Sequence, residues 1–164
     1  GELDGSVTER TRAIGAAFEE AGMHCIVSDN IMGVIWDKLL VNVATGAVCG
    51  ITHLPYGDMY EEEKLVACSC AAVREGMDVA KAAGVKLTYS NPMDVLELAR
   101  AGLPKSFKPS ILQSLEKHRP TEVGVINGAV VAQGAKYNVP TPVNETLVAC
   151  VTGIERYIRE YVNK

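Results

Sequence analysis

Two residues of the sequence stand out first, because a polar pair sits where an apolar helix is expected. Lys38 and Asn42 are four residues apart in the apolar run from Ile31 to Cys49, so both project from one side of a helix. An ammonium with an amide one turn away can polarise a carbonyl oxygen and hand it a proton. The ordinary alternative is that Lys38 snorkels to solvent beside Asp37 while Asn42 caps a neighbouring backbone group. A second candidate is Glu122, expected in the first turn of a helix beginning at Pro120, where the helix dipole stabilises a carboxylate. That acid is followed by Asn127, and Gly124 and Gly128 lie inside the same expected helix at a cost of about 1 kcal/mol each relative to alanine. Close approach of another helix or of a ligand would account for them.

The elements that must position these residues read as all-α. Apolar spacing predicts a helix over 8–21 stopped by Gly22, and a largely buried one over 31–49 with Ser28, Asp29 and Asn30 available as caps. Pro55 to Asp58 reads as a turn, followed by a long helix over 60–83 ending at Gly84. Shorter helices are expected over 92–101 and 109–117, then one over 120–137 and a last one over 142–162. Only Cys25 to Val27 competes as a strand. The count is six or seven helices, in one domain.

Composition narrows the classes of function. The 164 residues are 48% hydrophobic and 22% charged, with a net charge of −4 and no basic cluster, which argues against a nucleic-acid partner. Uninterrupted apolar runs fall well short of the roughly 20 residues that span a bilayer, so no membrane partner is expected. Five scattered cysteines suit a reducing cytoplasm, and no signal peptide is visible after Gly1. The chain reads as a part of something longer. Cys68 and Cys70 would point roughly 160° apart on a helix, and no second ligand pair with zinc spacing accompanies them, so no metal site is expected. None of the 15 glycines falls in a GxGxxG between strand and helix, so a dinucleotide fingerprint is absent from this sequence.

Taken together, the segments resemble the carboxy-terminal domain of the ketopantoate reductase family. The resemblance runs through Gly1-Glu2-Leu3-Asp4-Gly5, Ser28-Asp29-Asn30-Ile31, Trp36-Asp37-Lys38-Leu39 with Asn42, Arg119-Pro120-Thr121-Glu122, Ile126-Asn127-Gly128-Ala129 and Val139-Pro140-Thr141-Pro142-Val143-Asn144. It implies a helical, bundle-like fold of the 6-phosphogluconate dehydrogenase C-terminal type. It further implies an amino-terminal Rossmann domain that binds NADPH and is missing from this sequence, with the active site in the cleft between the two. Lys38 and Glu122 then match the family's catalytic lysine and glutamate, and Asn42, Ser110 and Asn127 its substrate-binding positions. The implied partner is a small 2-keto acid, ketopantoate first, in pantothenate and coenzyme A biosynthesis. Three positions depart from the pattern: Gly46 stands where a second substrate-contacting asparagine is usual, Pro109 where a second serine is common, and Ser114 where aspartate is usual. Losing a buried polar partner costs on the order of 1–3 kcal/mol, enough to change preference among 2-keto acids. Two other readings remain open: a non-catalytic helical module for dimerisation or small-acid binding, and a related reductase of another 2-keto or 3-hydroxy acid. The apolar faces that a missing Rossmann partner would leave uncovered make a homodimer a further expectation.

Overall fold

The computed structural model describes residues 1–163. It is helical throughout, with eight α-helices: α1 (Glu9–Glu20), α2 (Ile31–Thr52), α3 (Tyr56–Glu61), α4 (Glu63–Ala82), α5 (Pro92–Arg100), α6 (Ser110–Glu116), α7 (Asn127–Tyr137) and α8 (Pro142–Tyr157). A 3-10 turn over Val123–Val125 precedes α7, and a π-helical turn over Ile158–Val162 follows α8.

The organising element is α2, which packs against α3, α4, α5, α6 and α8. Leu40, Val43, Ala44 and Ala47 on it are completely buried, and they meet Val73 of α4, Leu96 of α5, Leu112 of α6 and Val151 of α8 in one core. Taken whole, α2 is long and apolar enough to cross a membrane, although its uninterrupted apolar runs are short. More than half of that apolar stretch is buried inside the bundle, as expected of a helix whose hydrophobic sides are covered by neighbours.

Small side chains let α6 approach α2 closely. A Cβ at Gly46 would lie 3.1 Å from Cδ1 of Ile111, and one at Gly50 would lie 2.7 Å from its Cγ2. Gly46 and Gly50 therefore form a groove that receives Ile111.

The N-terminus of α8 is satisfied from a distance. Thr141 precedes α8 but its side chain caps no backbone amide there. Glu75 of α4 instead accepts from the backbone N–H groups of Val143 at 2.8 Å and Asn144 at 2.9 Å, two of the amides that lack partners within the helix. The Asn144 amide nitrogen also donates to Glu75 and to the Ala72 carbonyl, while its oxygen accepts from Nδ2 of Asn127 at 3.0 Å. This buried network ties α4, the start of α7 and the start of α8 together.

Cys25 to Val27, the one segment that competed as a strand, is irregular, in keeping with the all-α reading, and among the described residues there is no strand. Three sequence expectations are corrected. The expected turn at Pro55 to Asp58 is the beginning of α3. The long helix expected over 60–83 breaks at Glu62, whose backbone turns extended and whose side chain caps α4 through the Lys64 amide. Finally, no α-helix begins at Pro120. Residues 123–125 form the 3-10 turn, the backbone bends at Ile126, and α7 starts at Asn127. A Cβ at Gly124 would meet nothing within 4 Å, so no neighbouring helix packs closely on it.

Candidate functional site

Three of the five residues singled out in the sequence meet at one cavity. Lys38, Val41, Asn42, Thr45 and Gly46 recur at helical spacing along one face of α2 and line a cavity of about 240 Å³. That is below the roughly 300–1,000 Å³ of sites for drug-sized ligands, and it suits a small acid. Burial deepens along this face, from exposed Lys38 through half-buried Asn42 to buried Thr45 and Gly46, so α2 runs from the mouth of the cavity to its floor. Ser110, the first residue of α6, adds a hydroxyl on the other side, after Pro109 whose fixed φ leads the chain into that helix.

The bland reading of Lys38 loses its partner in the structure. The Asp37 carboxylate turns instead to the far end of the α4–α5 connection, where both oxygens accept from the backbone N–H of Thr88 at 3.2 Å. Among the described residues no carboxylate lies within ion-pair distance of the Lys38 ammonium. A cation at the mouth of a small cavity, with an amide and a hydroxyl nearby, can stabilise charge developing on a carbonyl oxygen and protonate it.

The rest of the wall is apolar and comes from segments distant in sequence. Leu103 and Phe107 stand on the loop between α5 and α6, Ala99 on α5, Ile111 on α6 and Ile126 ahead of α7. The loop is held against the start of α3 by backbone bonds from Tyr56 N–H to the Phe107 carbonyl and from Gly57 N–H to the Lys105 carbonyl. The Tyr56 ring packs edge-on against Phe107 at 4.9 Å, and its hydroxyl is bonded to Thr45 Oγ1 at 2.8 Å in the buried floor. Burial pushes the Tyr56 phenol above its ordinary range, so it stays neutral.

Glu122 does not line the cavity. It is exposed at the head of the 3-10 turn, and its carbonyl accepts from the N–H of Ile126, a lining residue, at 3.0 Å. Its approach is fixed by Glu155 of α8, which accepts from the Thr121 N–H at 2.6 Å, and by the Thr121 hydroxyl, which accepts from the Val123 N–H. Asn127 is not brought to the cavity. Its side chain is fully buried and donates to Asn144, with Oδ1 left unpartnered among the described residues. The bend at Ile126 is the reason: it turns residue 126 toward the cavity and residue 127 into the core. Ser114 also lies off the cavity, so that departure leaves the lining unchanged, whereas Gly46 is part of it.

Sequence reasoning missed Val41, Thr45, Tyr56, Leu103, Phe107 and Ile126. Val41 and Thr45 were within reach, three and seven residues beyond Lys38 on the same helical face. The others arrive through loop and tertiary contacts and carry no local signal. Among the described residues no three His, Cys, Asp or Glu side chains converge as a metal site would require.

Comparison with known proteins identifies the fold and the family. Residues 30–155 match the family model described as ketopantoate reductase PanE/ApbA C terminal. The 2-dehydropantoate 2-reductase of Archaeoglobus fulgidus is 30% identical over 155 residues, covering 94% of this chain and 51% of that protein. Among solved structures, a PanE/ApbA family ketopantoate reductase from Ralstonia eutropha JMP134 superposes with a TM-score of 0.83 at 31% identity, covering 93% of this chain and 51% of that one. A D-mandelate dehydrogenase solved with NADH and anilino(oxo)acetate gives a TM-score of 0.83 at 25% identity, covering 97% of this chain and 65% of that one. The chain thus spans about half the length of the curated relatives it matches. The all-helical architecture and the match over residues 30–155 place this chain in the ketopantoate reductase PanE/ApbA family, as its C-terminal domain.

Proposed function

We propose that the protein to which this domain belongs reduces the keto group of a small 2-keto acid with NADPH, and that this domain supplies the substrate half of the cleft. The observation that carries the proposal is an ammonium without an ion-pair partner among the described residues, Lys38, at the mouth of a cavity that it shares with Asn42 and Ser110. The names of the relatives put 2-dehydropantoate first among substrates, and with it a place in pantothenate and coenzyme A biosynthesis.

NADPH, when bound, supplies a hydride to the carbonyl carbon. In this proposal the dinucleotide is bound by an amino-terminal Rossmann domain, a reading supported by relatives about twice as long as this chain. The D-mandelate dehydrogenase structure with NADH favours keeping NADH as the second cofactor to test. As the carbonyl carbon is reduced, negative charge grows on its oxygen. Lys38 stabilises that charge and then transfers a proton from Nζ to the oxygen, giving the 2-hydroxy acid. Asn42 and the Ser110 hydroxyl hold the carboxylate and align the carbonyl with Lys38. Glu122, exposed one turn before Ile126, orients the lysine or accepts a substrate hydroxyl once the cleft is complete.

Exposed Leu3, Ile14, Ile26, Val34 and Ile35 support contact with that second domain or with a second copy of the chain. The five unpaired cysteines suit the cytoplasm. The test is NADPH oxidation by the full-length protein with ketopantoate and related 2-keto acids, for the native protein and Lys38→Ala. Removing a general acid lowers kcat by about 10²- to 10⁴-fold. Undiminished turnover in the variant would refute the assignment.

A further inference from the structure

We infer that Thr45 and Tyr56 are determinants of specificity: their paired hydroxyls bind a hydroxyl carried on the side chain of the substrate. The inference rests on the reductase reading and concerns the inner end of the same cavity, which both residues line. Their oxygens lie 2.8 Å apart, and the two residues are 1% and 6% exposed. A threonine inside a helix commonly donates its hydroxyl to the carbonyl four residues back, as Thr52 does to Val48 and Thr146 to Pro142, both at 2.8 Å. Thr45 turns to Tyr56 instead. Burial keeps the Tyr56 phenol protonated, so the pair holds two hydroxyl protons, and the bond between them uses only one. The other proton and the open lone pairs of both oxygens are available to a group that accepts and donates at once.

Position and surroundings select a hydroxyl for that place. Lys38, among the described residues the only charged one that lines the cavity, stands exposed at the mouth with Ser110, and Asn42 lies between them and the pair. The carboxylate and the ketone oxygen, which only accept, are met there. Around the pair the wall is hydrocarbon from Ala99, Phe107, Ile111 and Ile126, where a carboxylate would lose both the cation and its water. A hydroxyl instead accepts the spare proton and donates to a free lone pair, so no polar group is left without a bond. Asn42 and Thr45 are three residues apart, with Cβ atoms about 5–6 Å from each other on one face of α2. A hydroxyl on a short carbon side chain therefore reaches the pair while Lys38, Asn42 and Ser110 hold the acid end. The pair is also held firmly, because the Tyr56 ring packs edge-on against Phe107 at 4.9 Å and Tyr60 at 5.8 Å, and both residues are buried in the bundle whatever covers the mouth. A substrate without the hydroxyl leaves the spare proton buried and unmatched, at about a ten- to hundredfold loss in an equilibrium or rate constant.

A matched pair of substrates isolates the effect. Ketopantoate and 3,3-dimethyl-2-oxobutanoate share the same branched skeleton and differ only in the terminal hydroxyl. The full-length protein, assayed with NADPH and separately with NADH, should show kcat/KM at least about tenfold higher for ketopantoate. Combining Thr45→Val with Tyr56→Phe removes both hydroxyls and keeps the shapes, and should bring that ratio to within about threefold of one, chiefly through a higher KM for ketopantoate. Tyr56→Phe alone, the milder change, should lower the ratio at least about threefold. General damage to the fold would slow both acids alike and leave the ratio where it was, so a native ratio retained in either folded variant overturns the inference. A native ratio of one or below overturns it without any variant, and in both cases the reductase reading stands. Reduction of neither acid, nor of any other 2-keto acid, overturns that reading and this inference together.

Discussion

A single substitution, glycine to alanine, should have different effects at two helical positions of this chain, and the difference measures the seam that shapes the site. In α2, a Cβ at Gly50 would sit 2.7 Å from Cγ2 of Ile111 and 3.3 Å from Cδ1 of Leu115, both residues essentially fully buried. Cγ2 of isoleucine hangs directly on a β-branched carbon, so it cannot swing aside as a flexible tip would. Relief requires α6 to back away, at an overpacking cost of about 1–3 kcal/mol. Against this, alanine gains about 1 kcal/mol over glycine in a helix interior. Gly50→Ala should therefore fall between neutral and about 2 kcal/mol destabilising. Gly153 in α8 is exposed and a Cβ there would meet nothing within 4 Å, so Gly153→Ala keeps the propensity gain alone and stabilises by about 1 kcal/mol. Propensity cancels in the difference, which leaves the overpacking cost of about 1–3 kcal/mol. Urea unfolding followed by circular dichroism, with equal m-values, reads it directly. Equal midpoint shifts in the two variants would refute the close α2–α6 approach on which the shape of the cavity floor depends.

Asn144→Ala should destabilise the fold by about 2–4 kcal/mol in the same assay, because it strips partners from Glu75, the Ala72 carbonyl and Asn127 at once; a loss no larger than that of an exposed asparagine would show that the network is not needed. Burial pushes the Cys49 thiol from 9.0 up to about 12, so the folded state holds a proton that the unfolded chain releases above about pH 9. The associated stability is present in full below that pH and is lost at up to about 1.4 kcal/mol per pH unit as pH rises toward 12. Cys49→Ala should reduce that slope by the share of one proton, which unfolding curves between pH 8 and about 10.5 will show. In the full-length protein, Asn42→Ala should raise KM for a 2-keto acid about 5- to 100-fold with a smaller change in kcat, and an unchanged KM would remove Asn42 from carboxylate binding.

The helical class and the ends of most elements were legible because α-helical periodicity, caps and breakers are local. The Lys38–Asn42 pair was legible for the same reason, since i and i+4 share a face whatever the rest of the chain does. Glu122 and Asn127 show where local reading stops. Pro120 looks like a helix start, yet the Thr121 amide is claimed by Glu155 and the Asn127 amide by Asn144, both on α8. Those two long-range bonds hold a 3-10 turn and a bend in place of a regular first turn. The apolar floor was illegible for a similar reason: Tyr56, Leu103 and Phe107 reach the cavity only because a loop pairs its backbone with the start of α3.

The polar network of α8 and the cavity are mechanically one system. Glu75 fixes the first amides of α8, Asn144 passes that position to Asn127, and the bend before Asn127 presents Ile126 to the cavity with Glu122 one turn earlier on the surface. Lys38 is set by the burial of Trp36 and Leu40 on either side of it in α2, a helix that itself packs on α8. The proposed acid and the proposed glutamate thus stand on different elements, and a disturbance of the network at the start of α8 would shift Glu122 relative to Lys38 without altering either side chain. A change at Asn144 should accordingly lower turnover by more than the loss of folded protein explains, whereas Gly153→Ala, on the same helix but outside the network, should leave turnover unchanged.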